Sequence, residues 1–145
     1  MQVYEDGKIG DYMNSLPYDE KLNIGYLSRL FDDTSNCYKF FWFQAILGKM
    51  TEDKLTFTYD ELVNEMIADA WYMVTAFHLR LGPCGGTDNL EEAVKYMEKT
   101  TSFAASEKRN VIIAYLEGSD DKKLIGFKKE LIKNVPYRLQ SPFLD

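Results

Sequence analysis

The side chains that could perform chemistry are few, and two of them lie close together in the sequence. His78 is the only histidine, and Cys84 follows it six residues later, beyond a Gly-Pro pair. A histidine that activates a thiol must lie within hydrogen-bond distance of it, and nothing in this spacing brings the two side chains together. A single histidine also excludes a metal site built from two histidines of this chain. We therefore interpret His78 as a residue at the border of the core, and we predict no catalytic residue.

Three carboxylates, Glu61, Glu65 and Asp69, recur at intervals of four residues. In an α-helix this spacing stacks them on one side. Metal sites in helical bundles usually add a histidine three residues after a glutamate, but Asn64 and Ala68 occupy those positions here. The three residues are therefore expected to form a solvated acidic face, and no metal and no other cofactor are predicted.

No glycine-rich motif and no nucleophile motif in the sequence indicates a chemical reaction. The stretch CGGTD lacks the spacing of a phosphate-binding loop, and no G-x-S-x-G occurs.

The last quarter of the chain is rich in lysine. These lysines could contact phosphate beside another basic surface, but lysine usually occupies the solvent-exposed face of a helix. The net charge of the whole chain is −6. This charge disfavours independent binding to nucleic acid, so nucleic acid is expected only within a larger assembly.

The composition indicates one globular domain. The chain has 145 residues, of which 46% are hydrophobic and 28% charged, as is typical of proteins with a single core. The opening MQVYEDGKIG has no basic stretch followed by an apolar run, and no apolar stretch is long enough to span a membrane. We expect a cytoplasmic protein in which Cys37 and Cys84 are free thiols.

Apolar spacing and capping residues predict an all-α fold, a single compact bundle of about six helices. The predicted helices cover about residues 22–31, 37–49 and 59–81, a unit capped by Asp88 and Glu91, a unit from Ser106 to Gly118, and a last helix from Ser119 and Asp120 to Asn134. The second helix is apolar nearly all round and is therefore expected to be buried on more than one side. Residues 1–15 are expected to be flexible, and residues 135–145 to form an extended segment containing two prolines.

Four stretches of the sequence resemble the N-terminal region of a bacterial family of HNH-endonuclease-domain proteins. They are GYLSRLF at 25–31, CYKFFWFQAIL at 37–47, AWYMVTAFHLRLGP at 70–83 and NVPYRLQSPF at 134–143. In that family the metal-dependent nuclease motif lies in a C-terminal half that these 145 residues do not contain. The resemblance implies a helical front domain without the active site, so a longer parent protein would be the endonuclease and this chain would not be an enzyme.

Our leading hypothesis is a non-catalytic domain for protein interaction or target recognition, related to bacterial or phage defence. Its partner would be another protein or a second copy of the chain. Tyrosine and arginine are the residue types that anchor interfaces, and lysines flank them near the end of this sequence. The interaction candidates are Tyr137, Arg138, Phe143, Lys128, Lys129 and Lys133.

Two alternatives remain open at this stage. A stand-alone acidic inhibitor encoded by a phage, similar to an anti-CRISPR protein, could present Glu61, Glu65 and Asp69 as a mimic of phosphate and occupy a nuclease complex. An enzyme with an unrecognised site would depend on His78, Cys84 and the same carboxylates.

Overall fold

A computed structural model of the chain describes residues 20–21, 23–32, 37–51, 56–83, 86 and 88–137. These residues form six α-helices and a final π-helical turn, and they contain no strand. The helices are α1 (Ile24–Ser28), α2 (Tyr38–Thr51), α3 (Tyr59–Thr75), α4 (Asn89–Thr100), α5 (Arg109–Gly118) and α6 (Lys122–Ile132), and the π turn is Lys133–Tyr137. The predicted all-α bundle is confirmed.

Helix α3 lies at the centre of the bundle. It contacts α2, α4, α5 and α6, while α4 packs along α6 and the π turn reaches back to α2. An unbroken run of its residues, 62–68, is buried, so every side of that part of the helix is covered. The largest fully buried side chains of the core come from α3 and from the helices around it: Leu62, Met66, Ile67, Trp71, Leu90, Met97, Ile112, Leu116, Leu124 and Leu131.

The end of α3 differs from the prediction. The helix ends at Thr75 and does not continue to residue 81. His78 has a φ of 52°, in the left-handed region that often terminates helices, and the Leu79 N–H donates to the Met73 carbonyl at 3.1 Å. The chain therefore leaves the helix axis well before Gly82 and Pro83.

The segment after α3 is fixed between two other helices. The Leu81 carbonyl accepts a hydrogen bond from the Cys37 N–H at 3.2 Å, and the Leu81 N–H donates to the Glu91 carboxylate at 3.0 Å. Gly82 passes so close to α4 that a Cβ there would lie 3.1 Å from the Cβ of Asp88. Glycine is therefore favoured at this position by a close approach rather than by the end of a helix.

Several helix starts also differ from the prediction. Asp88 caps α4 as expected, but Glu91 does not complete a capping box, because its carboxylate pairs with the buried N–H of Leu81. Helix α5 begins three residues after Ser106, and α1 is only five residues long. Asp121, rather than Ser119 or Asp120, caps α6.

The predicted extended segment is wrong over residues 135–137. These residues belong to the π turn that continues α6, and Val135 is buried. Pro136 lacks an amide hydrogen and was expected to end helical structure at Asn134. The wider turn continues past it nevertheless. Residues 1–15 and 138–145 lie outside the described part of the chain.

The two tryptophans provide a matched test of one buried hydrogen bond. Trp71 Nε1–H donates to the Ala104 carbonyl at 3.0 Å, whereas the buried Nε1–H of Trp42 has no partner in the described part of the chain. Both substitutions, Trp71→Phe and Trp42→Phe, remove the same atoms from the core. We expect Trp71→Phe to lower the free energy of unfolding by about 1 kcal/mol more than Trp42→Phe. Urea denaturation followed by circular dichroism measures the difference, and equal losses would contradict the role of this bond.

Candidate interaction surface

One side of α2 carries large apolar residues that the described part of the chain leaves partly exposed. Phe40, Phe43, Leu47 and Met50 are between 37% and 53% exposed. Their spacing of three, four and three residues places them in one stripe along the helix. The expectation that α2 is buried on more than one side is therefore wrong. We call these four residues the α2 stripe.

The opposite side of α2 explains why the stripe faces outward. Phe41, Trp42 and Ala45 are buried, and α2 packs against α3. At the beginning of the stripe, the Phe31 ring stacks on Phe40 with centroids 5.3 Å apart and meets the edge of Phe43 at 5.5 Å. The stripe is thus an ordered surface of packed rings and not a set of scattered apolar residues.

A second group of exposed apolar residues surrounds the end of α3. Tyr72, Met73, Phe77 and Leu79 are all exposed, and the Tyr72 and Phe77 rings meet edge to face at 5.2 Å. The hydrogen bond between Cys37 and Leu81 ties this region to the start of α2. The end of α3 and the neighbouring α2 therefore both carry exposed apolar surface.

The three carboxylates of α3 do not form a solvated face. The Glu61 carboxylate accepts from the Thr58 N–H at 2.7 Å, and the Thr58 hydroxyl accepts from the Glu61 N–H at 3.1 Å. This is a capping box that starts α3, and the pattern Thr-x-x-Glu in the sequence could have predicted it. Glu61 thus has a structural role at the helix end.

The side chains of Glu65 and Asp69 are buried, with only 5% and 7% of their surface exposed. Lys49 Nζ of α2 lies 2.6 Å from Glu65 Oε1, and the Arg109 guanidinium of α5 binds the other Glu65 oxygen. Arg109 Nε also lies 2.7 Å from Asp69 Oδ1. We call these four residues the ionic cluster. It joins α2, α3 and α5, and the sequence carried no local signal for it, because its cations lie far from its carboxylates in the chain.

Burial sets the proton affinities within the ionic cluster. Burial raises the pKa of Asp69 above its ordinary value, and the hydrogen bond from Arg109 only partly offsets this effect. For Arg109, burial lowers the pKa, but the bonds to Asp69 and Glu65 outweigh it and the net pKa is raised. Arg109 therefore stays charged. Ionisation of Asp69 is less favourable than in water, because the interaction with Arg109 offsets only part of the effect of burial.

The basic interaction candidates are not all on the surface. Lys128 is buried: its Nζ lies 2.8 Å from Asp60 Oδ1 and 3.3 Å from the Leu116 carbonyl. The prediction that Lys128 belongs to a binding surface is wrong, because its ammonium group is paired within the fold. Lys129 and Lys133 are exposed. The backbone of Tyr137 ends the π turn, and its side chain, like Arg138 and Phe143, lies outside the described residues.

Of the two residues considered as a catalytic pair, only His78 belongs to the described part of the chain. His78 is exposed in the turn after α3 and does not border the core. Cys37 is a free cysteine, while Cys84 lies outside the described part. Among the described residues, no group of three or more histidine, cysteine, aspartate or glutamate side chains could hold a metal ion. Within the same ranges, no helix combines the length and the apolar character needed to cross a bilayer.

Comparison with known proteins adds no relative. No protein-family model matches this chain, and no curated protein and no solved structure matches it. The resemblance to the front region of HNH-endonuclease-domain proteins therefore stays a prediction.

The ionic cluster predicts a large effect of one neutral substitution. Glu65→Gln removes the charge that compensates two cations, Lys49 and Arg109, and leaves Lys49 in a site where it is only 13% exposed. We expect a loss of about 2–4 kcal/mol in the free energy of unfolding. Glu98→Gln on the exposed side of α4 is the control and should cost less than about 0.5 kcal/mol. Similar urea midpoints for the two variants would show that the cluster is not coupled to stability.

The titration of Asp69 predicts a pH dependence of definite sign. Its pKa is higher in the folded protein than the ordinary value of 3.8, so the folded state binds the proton more tightly than the unfolded state. The contribution of Asp69 to the free energy of unfolding is therefore fully present below pH 3.8. It is lost as the pH rises through the pKa that Asp69 has in the folded protein. We expect the wild type to gain stability relative to Asp69→Asn as the pH falls from 7 to 4. Urea midpoints measured across this range would refute the assignment if the difference stayed constant or changed in the opposite direction.

Proposed function

We propose that this chain is a non-catalytic helical domain that binds a protein partner, and that the α2 stripe is its binding surface. The observation that carries the proposal is the exposure of Phe40, Phe43, Leu47 and Met50 on one ordered helix face. Contiguous apolar surface on a folded protein is characteristic of interaction sites. Aromatic residues and methionine are also the types enriched in interfaces.

The geometry of the stripe favours a helix as the partner. Residues 40, 43, 47 and 50 follow the spacing of the apolar seam between two helices that pack side by side. The stripe runs from residue 40 to residue 50, which corresponds to a rise of about 15 Å or nearly three turns. A partner helix with an apolar stripe of similar length would cover it, and such a helix could belong to another protein or to α2 of a second copy.

The proposal includes the bacterial or phage setting implied by the resemblance to HNH-endonuclease-domain proteins. Two of the four resembling stretches, residues 37–47 and 70–83, contain most of the large exposed apolar residues in the part of the chain that the structure describes. In a longer parent protein such a front domain would recognise a target or a partner, while the nuclease half would perform the cleavage.

Phosphate mimicry by an acidic inhibitor loses its main support. Glu65 and Asp69 are covered and paired with cations, and Glu61 is engaged at the start of α3. Carboxylates that are neutralised inside the fold cannot present a row of negative charge to a basic channel. Only the net charge of −6 still speaks for an inhibitor, and many proteins share it.

The proposal is tested by placing a charge in the stripe. A photo-crosslinking amino acid at position 47, incorporated in cells, identifies the protein that touches the stripe, and binding is then measured with the two purified components. Leu47→Asp should weaken binding by at least about tenfold, because a carboxylate would be buried in an apolar contact. Val111→Asp replaces an exposed apolar residue on α5 and should leave binding unchanged. Circular dichroism checks that both variants are folded.

Two results would contradict the proposal. Equal binding by Leu47→Asp and Val111→Asp would place the interface elsewhere. Metal-dependent cleavage of DNA by the purified chain would show that it is not a non-catalytic domain. Sedimentation analysis distinguishes the two kinds of partner, since a dimer that Leu47→Asp dissociates identifies the partner as a second copy.

A further inference from the structure

A cavity with a different chemistry lies between α4 and α6. Its volume is about 360 Å³, and it is lined by Glu92, Lys95, Tyr96, Lys99, Lys123 and Phe127. Volumes of this size are typical of sites for small molecules. None of these residues belongs to the α2 stripe or to the ionic cluster.

Two aromatic rings give the cavity an apolar wall. The centroids of Tyr96 and Phe127 lie 5.7 Å apart, with the rings inclined at 50°. The Tyr96 hydroxyl donates to Asp121 Oδ2 at 2.8 Å, and the same aspartate caps α6. The Tyr96 ring is therefore held in place from the start of the neighbouring helix. A fixed aromatic surface of this kind favours a planar ligand.

The cations around the rings are only partly neutralised. Lys95 pairs with Glu91, which lies on the side of α4 that faces the core. Lys123 Nζ lies 4.9 Å from the centroid of the Tyr96 ring, and neither Lys123 nor Lys99 has a carboxylate within 4 Å in the described part of the chain. Glu92 is the single carboxylate of the lining, and Asp121, which accepts from the Tyr96 hydroxyl, lies near Lys123 at its edge. Within the described residues, Lys99 and Lys123 thus make no direct ion pair, and their ammonium groups can bind an anion at this place.

We propose that this cavity binds a mononucleotide. Lys99 and Lys123 bind the phosphate through charge-assisted hydrogen bonds, and the base lies against Tyr96 and Phe127. A simple anion would leave the aromatic wall unused, and an uncharged ring compound would leave the lysines unused. A long nucleic acid strand fits less well, because the net charge of −6 repels a polyanion that extends beyond the cavity.

The test compares three probes by isothermal titration calorimetry and by amide chemical shifts in NMR spectra. AMP should bind saturably and shift the amides of α4 and α6, whereas adenosine and inorganic phosphate should each bind at least about tenfold more weakly. Lys99→Ala and Lys123→Ala should each weaken AMP binding by about tenfold or more, which is the expected effect of removing one hydrogen bond to a charged group. Lys129→Ala, at an exposed position of α6 that does not line the cavity, is the matched control and should bind AMP like the wild type.

Each contrary result removes a definite part of the proposal. Absence of saturable AMP binding would show that the lysines only solvate the helix faces. Equal binding of inorganic phosphate and AMP would exclude a role for the rings and with it the nucleotide. Equal weakening by Lys129→Ala and Lys123→Ala would show that the effect comes from net charge and not from the cavity. None of these results depends on the α2 stripe.

Discussion

The burial of two carboxylates on the central helix determines how its neighbours can pack. Because α3 is surrounded by other helices, Glu65 and Asp69 are removed from water, and an ionised carboxylate in such a place requires a cation. Lys49 from α2 and Arg109 from α5 meet this requirement. Any arrangement of α2 or α5 that moved these cations away would leave buried charge uncompensated, which costs several kcal/mol.

The same constraint accounts for the start of α5. Arg109 is the first residue of that helix, Lys108 before it makes no side-chain cap, and the first turn contains no acidic residue. Cations are unfavourable at a helix N-terminus, because they oppose the helix dipole. The carboxylates of α3 offset this local disadvantage by binding Arg109. The position of α5 thus depends on a contact between helices more than on local capping, and the predicted start at Ser106 missed it for this reason.

Periodicity and turn residues in the sequence were sufficient to predict the fold class and the approximate number of helices. They were not sufficient to predict which helix faces are covered, because a helical wheel shows which residues share a side but not what packs against that side. The polar side of α3 was therefore expected in water and is buried, while α2 was expected to be buried on more than one side and exposes Phe40 and Leu47. The capping box at Thr58 and Glu61 was visible in the sequence, whereas the pairing of Glu65 with Lys49 and Arg109 needed the fold.

These two differences from expectation have a common cause. Lys49 follows Phe40 by nine residues, which places it about 180° around α2, on the side opposite the start of the stripe. When Lys49 pairs with Glu65, Phe40 and Leu47 must face away from α3. Rotating α2 to bury the stripe would gain apolar contact but would take Lys49 out of the ionic cluster. The buried carboxylate of α3 therefore selects the orientation of α2 in which its apolar surface is directed outward.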